Sequence, residues 1–200
     1  MPRPRNDQLN VPIEQRIEEA FWTLIEDHAP ERISVVALSK QAHCNRGTFY
    51  YYFTDIYDLL DRIILENQPT TLPFYLLAYL SGQNSIETVK RAMEAEEEKL
   101  KKLGTLLMRS ESSYCADKLK EACIDVWCSA AGLKREEMEK SDYLMFEFVA
   151  SGILGMLAYC GKNKEALTAD DIIDALLPEV PQALITRVRR RKQTLEEQTC

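Results

Sequence analysis

The chain has 200 residues, 46% of them hydrophobic, enough to bury a sizeable core and too many for a disordered tail or a minimal scaffold. Lys and Arg number 25 against 32 Asp and Glu, a formal charge of −7, which excludes a protein that coats nucleic acid through its overall charge and leaves room only for a local contact. With Gly at 7 and Pro at 8 a turn-rich β protein is excluded too, and the long Leu, Ala, Glu, Lys and Ile stretches set the expectation of an all-α fold.

In chain order, Ile13, Ile17, Ala20, Phe21, Leu24 and Ile25 fall on one helical stripe, opened by Pro12 and stopped by Pro30. Ser34 then caps a short helix with Val35, Leu38 and Ala42 as its buried positions, and the chain breaks at His43-Cys44 and restarts at Asn45, a second good cap. Two short helices thus meet at a tight turn. Asp55 caps a fourth helix that carries Ile56, Leu59, Leu60, Ile63 and Ile64 on one face, and Pro69 and Pro73 mark a domain junction. The division expected is 1–66 and 67–200.

Beyond the junction, the pattern predicts a short apolar helix over 72–80 and one long helix from Ser85 through Leu103, laced by Glu87/Arg91, Glu97/Lys101 and Glu98/Lys102. Further helices are expected over 106–131, 141–160 and 170–177, the last opened by Thr168, with a final helix or tail after Pro181. The run from Tyr143 to Cys160 is at the short limit for a membrane span, and its interruptions at Glu147, Ser151, Gly152 and Gly155 favour a helix covered on two sides, with no membrane partner.

The most informative stretch runs from Arg32 to Thr54, 23 residues without one Asp or Glu that carry Arg32, Lys40 and Arg46. A local excess of positive charge in an acidic chain is what a phosphate-binding face requires, and it coincides with the two short helices. The second of these presents Thr48, Tyr50, Tyr51 and Tyr52, whose hydroxyls can reach phosphates and base edges.

Ala20, Ile33-Ser34-Val35, Leu38, Ala42 and the segment Asn45-Arg46-Gly47-Thr48-Phe49-Tyr50-Tyr51-Tyr52-Phe53, followed by Leu59-Leu60, resemble the N-terminal domain of the TetR family. The resemblance implies an N-terminal helix-turn-helix DNA-binding domain (1–66) and a larger helical ligand-binding and dimerisation domain (67–200), in a ligand-responsive transcriptional regulator, most often a repressor. Carried over by position, Arg46, Gly47 and Thr48 would face bases, Tyr50 and Tyr51 would hydrogen-bond phosphates, and Ser34 and Lys40 would anchor the flanks. Gly47 would let the backbone approach DNA closely. Phe49 and Phe53 belong to the core, and Tyr52 stands between the two roles. Two positions depart from the family: the turn Gly is His43, a residue that tolerates a left-handed backbone, and the Lys common at the start of the fourth helix is Ile56. Arg3 and Arg5 are candidates to compensate in a minor groove, against plain disorder of that arm.

The partners implied are a palindromic double-stranded DNA operator, a small-molecule effector and a second copy of the chain. Ala150, Ser151, Gly152 and Gly155 are small enough for close helix approach and are expected at a homodimer interface. Tyr79, Met93, Met108, Tyr114, Trp127, Phe146 and Met156 are the candidates to line an effector pocket, against ordinary core packing. Cys44, Cys115, Cys123, Cys128, Cys160 and Cys200 contain no C-x-x-C pair, and His28 and His43 complete no zinc spacing, so neither metal nor cofactor is expected. The cysteines are read as reduced core thiols rather than a redox sensor, and the N-terminal MPRPRNDQLN has no apolar stretch of signal-peptide length, so the expected compartment is cytoplasmic. The cluster Arg187, Arg189, Arg190, Arg191 and Lys192 is read as a solvated end. Without a phosphate-cradling Gly-rich loop or a His-based triad, no enzyme is expected. The alternative is a TetR-like adaptor that binds another protein and has little or no hold on DNA.

Overall fold

The computed structural model describes residues 11–69, 71–80, 82–130, 134–165, 167, 168, 170, 171 and 174. Arg3, Arg5, Cys200, the helix or tail after Pro181 and the basic cluster around Arg189 lie outside the described residues. Those described are all-α: α1 Ile13–Leu24, α2 Val35–Gln41, α3 Arg46–Tyr52, α4 Ile56–Asn67, α5 Leu72–Leu80, α6 Ile86–Ala95, α7 Glu97–Arg109, α8 Tyr114–Ala130 and α9 Lys140–Asn163, with short 3-10 turns at Pro30–Arg32 and Arg135–Glu137. They fall into two compact units.

The first unit comprises 11–66 together with Arg109–Cys115, a segment that the contiguous division at Pro69 does not include. Ile17 and Phe21 from α1, Leu38 from α2, Phe49 from α3, Phe53, and Leu59, Leu60 and Ile63 from α4 are fully or almost fully buried. Removing a side chain such as Phe49 from a core of this kind costs about 3–5 kcal/mol. On the rim, Arg62 of α4 reaches Glu14 at 2.7 Å and Glu66 at 2.9 Å, with Glu18 at 3.7 Å, and its guanidinium lies 5.5 Å from the Phe53 ring centre. One cation thereby ties α1 to α4.

The segment 109–115 joins this unit by hydrogen bonds rather than by apolar burial alone. The Ser110 and Ser112 hydroxyls donate to the Glu31 carboxylate, Ser112 at 2.7 Å, and the Glu111 amide follows at 3.4 Å. Arg32 is ion-paired with Glu111, and the Tyr114 hydroxyl donates to Asp61 at 2.6 Å while its ring meets Tyr57 edge-on.

The second unit holds α5 to α9. Where a single helix is expected from Ser85 to Leu103, the chain breaks at Glu96 between α6 and α7. Glu96 is buried, and its carboxylate accepts from both the amide and the hydroxyl of Thr71, just before α5. A tertiary hydrogen bond thus overrides helical periodicity. Likewise α8 opens at Tyr114, not near 106, because 110–113 is engaged with Glu31. Among the expected intrahelical pairs, Glu97 and Lys101 stand 2.8 Å apart, and Glu98 also turns to Lys101.

α7 and α9 cross at two glycines. A Cβ on Gly161 would lie 2.5 Å from the Gly104 carbonyl oxygen, and one on Gly104 would lie 2.9 Å from that of Leu157, so neither position accepts a side chain without backbone movement. α8 meets α9 through Ile124, Trp127, Cys128, Phe146, Val149 and Ala150, with Lys120 and Glu147 paired at 2.6 Å beside them. α9 closes on Lys164 in the left-handed conformation, φ 57°. After it, Thr168 and Asp171 cap each other's amides at 3.1 and 2.8 Å, opening the helical residues 170, 171 and 174.

Candidate nucleic-acid interface

The turn between α2 and α3 is built from its own backbone and two side-chain caps. Ser34 Oγ accepts from the Ala37 amide at 3.2 Å to open α2, and Asn45 Oδ1 accepts from the Thr48 amide at 2.8 Å to open α3. Between them His43 takes φ 51°, the left-handed conformation, and the Cys44 amide returns to the Ser39 carbonyl at 2.9 Å. From α1, Arg16 donates to the carbonyls of Ala42 and His43, the latter at 2.9 Å, so the open end of α2 is closed by a guanidinium.

Phe49 and Phe53 point into the core and leave the other faces of α3 outside. Arg46, Gly47, Tyr50 and Tyr51 are exposed, Tyr51 at 81%, while Thr48 and Tyr52 are half-buried and the Tyr52 ring lies edge-on to Tyr51 at 4.9 Å. On α2, Ser34 and Lys40 are exposed, and so is Val36 at 57%, a residue that periodicity did not single out. Gly47 also has a reason internal to the chain: a Cβ there would stand 3.1 Å from Asn45 Oδ1 and crowd the α3 cap.

The charge of this surface is narrower than the sequence suggested. Arg32 is spent on Glu111, whereas among the described residues Lys40 and Arg46 have no acidic partner. At the start of α4, beside Ile56, Asp55 Oδ1 accepts from the Tyr57 and Asp58 amides at 2.8 and 3.0 Å, and Asp58 accepts from the Thr54 amide at 2.7 Å. That helix start is satisfied by its own carboxylates and offers nothing to a phosphate.

In the second unit a small apolar cavity of about 40 Å³ is enclosed by Leu72 and Leu76 of α5, Leu100 and Leu103 of α7, Cys123 and Trp127 of α8, and Leu154 and Leu157 of α9, among others. Gln68 is its one lining residue with a side-chain amide. Of the seven pocket candidates only Trp127 lines it. Phe146 stacks on Trp127 from the α9 side, Met93 packs in the core, Tyr114 belongs to the first unit, and Tyr79, Met108 and Met156 are half-buried elsewhere. The lining is made by Leu positions, which carry no sequence signal to separate them from ordinary core.

The small residues of α9 divide between its two faces. Ala150, expected at a dimer interface, is buried within the chain at 1% exposure, because it shares the inward stripe of Phe146, Val149 and Leu154. Ser151 and Gly155 are exposed, and a Cβ on Gly155 would meet nothing within 4 Å; Gly152 is half-buried. With Leu144, Phe148 and Tyr159, Ser151 and Gly155 form one outward stripe, on which Phe148 is 64% and Tyr159 63% exposed. Within the chain α9 is covered on one side, and the side expected to meet a second copy is exposed. By length and composition α9 is also the one helix among the described residues apolar enough to cross a membrane.

The described cysteines are free thiols, and burial pushes each of them up, Cys115 to about 12 and Cys123 to about 11. Thiols held protonated in this way are poor nucleophiles at neutral pH. Among the described residues no three His, Cys, Asp or Glu side chains come together to hold a metal ion. Compared with protein-family models, curated proteins and solved structures, the chain matches none.

Proposed function

We propose that this chain is a TetR-type transcriptional regulator that binds a palindromic DNA operator as a homodimer through α2 and α3 and responds to a small apolar effector. The observation that carries this reading is the acid-free outer face of the two helices. Lys40 and Arg46 stand on it without acidic partners among the described residues, beside two exposed tyrosines, on a turn held by Asn45, Arg16 and the left-handed His43. Exposing two tyrosine rings is costly for an isolated domain and useful for one that presses them on a phosphate backbone.

The outward stripe of α9 supports the dimer, since a second copy laid on it by a two-fold axis would cover Phe148 and Tyr159 on both chains. Two recognition helices would then lie about 34 Å apart, one DNA turn. The apolar lining described for the cavity between α5, α7, α8 and α9 favours an uncharged effector, for which a space of about 40 Å³ would have to widen. It acts by binding one dimer geometry better than another.

The adaptor reading is favoured by one observation, the carboxylates of Asp55 and Asp58 at the start of α4, which repel a phosphate where the family usually holds one. A mobility-shift titration separates the two. Arg46→Ala and Tyr51→Ala are each expected to weaken operator binding about tenfold or more, with the dimer unchanged. Unaltered binding by both variants would refute this surface as the DNA site.

A further inference from the structure

The outer face of α2 and α3 carries a narrow set of base readers. In a major groove, adenine is read by an amide, cytosine by a carboxylate, guanine by Arg or Lys, and thymine by an apolar contact to its methyl group. Carboxylates are absent from Arg32 to Thr54. Of the two amides there, Asn45 is committed to capping α3, while Gln41 is exposed at the end of α2, on the rim of a cleft with Arg16, Glu19 and Thr23 of α1. Outward as well are Arg46 on α3 and, on α2, Lys40 and the 57%-exposed isopropyl group of Val36, the one exposed aliphatic side chain between Arg32 and Thr54. Val36 sits one turn before Lys40, so the two share a helix face with the cation positioned to hold a phosphate.

We infer that Val36 is a base-reading residue, packing on a thymine 5-methyl group, and that the half-site combines one guanine read by Arg46 with at least one thymine read by Val36. This inference rests on the DNA-binding reading above and adds the chemistry of its specificity. The occupant is a major groove rather than another protein because Lys40, on the same face of α2, is a cation without an acidic partner among the described residues, complementary to a phosphate beside the isopropyl group. Val36 adds nothing to the inward side of α2, which Leu38 fills, fully buried.

The test replaces thymine by uracil, which removes only the methyl group, one position at a time in a half-site selected by the wild-type protein. At the position under Val36, uracil is expected to weaken wild-type binding about fourfold, the worth of one buried methyl. Val36→Ala is expected to bind the thymine site about as weakly as the wild type binds the uracil site, and to be indifferent to the replacement. Lys40→Ala serves as the contrast, weakening binding while keeping the thymine preference. Should no position distinguish wild type from Val36→Ala, the assignment of Val36 falls while the regulator reading stands. Should the wild type select no site at all, both fall together.

Discussion

At His43 a bulky side chain occupies a left-handed backbone, φ 51°, in the turn between α2 and α3. Such a residue costs of order 1 kcal/mol relative to an unstrained one, and β-branched side chains cost more. His43→Gly is therefore expected to match or slightly exceed the wild type in urea denaturation, while His43→Val loses about 1–2 kcal/mol. Equal stability of all three would contradict the turn. This position was legible through the resemblance, which implies a Gly at the turn, and His accepts the left-handed backbone that a Gly there implies. The second role of Gly47 was not legible, because its contact with Asn45 Oδ1 depends on where a cap side chain lies. Glu31 shows the same limit, its partners Ser110 and Ser112 being 79 and 81 residues away. Burial raises the pKa of its carboxyl, but hydrogen bonds from Ser110, Ser112 and the Glu111 amide outweigh burial and hold it below the ordinary 4.5. A depressed carboxyl stabilises the fold above its unfolded value and loses that contribution as pH falls through its folded value. Between about pH 5 and pH 3 the wild type is thus expected to lose more stability than Glu31→Gln, read as the difference in urea midpoints. Parallel acid limbs would remove Glu31 from the account.

Among the elements, periodicity located the helices and misjudged two of their ends. One expected helix from 85 to 103 is two, because Glu96 turns inward to Thr71, and such a tertiary hydrogen bond leaves no trace in the pattern of apolar residues. In α9 the abundance of small residues was visible while its division into faces was not. A close approach of α7 and α9 uses Gly104 and Gly161 inside the unit, whereas Gly155 faces open space. Gly161→Ala is accordingly expected to destabilise by about 2 kcal/mol or more despite the better helix propensity of Ala, since the new Cβ meets backbone that cannot rotate away. Gly155→Ala is expected to leave monomer stability unchanged or improved by a few tenths to about 1 kcal/mol. If chemical denaturation ranked the two glycines the other way, the α7/α9 crossing would be wrong.

At the scale of the whole molecule, the net charge of −7 restricts where DNA can be met, and Lys40 and Arg46 are the two cations of the proposed face. With Arg46 on a base, Lys40 counted on both chains of a dimer predicts a slope of log K against log salt of about −2, shallow for a specific regulator. The outward stripe of α9 predicts that Gly155→Leu or Phe148→Glu weakens self-association about tenfold or more in sedimentation equilibrium, with helical content unchanged because both side chains point out of the monomer. The central claim is that the α2 and α3 face selects a DNA sequence, and selection of genomic fragments by the purified protein at moderate salt, beside Arg46→Ala, tests it most directly. Enrichment of one palindrome by the wild type, lost in Arg46→Ala, is the result predicted. Enrichment of no sequence by the wild type, or of the same palindrome equally by both proteins, would contradict it.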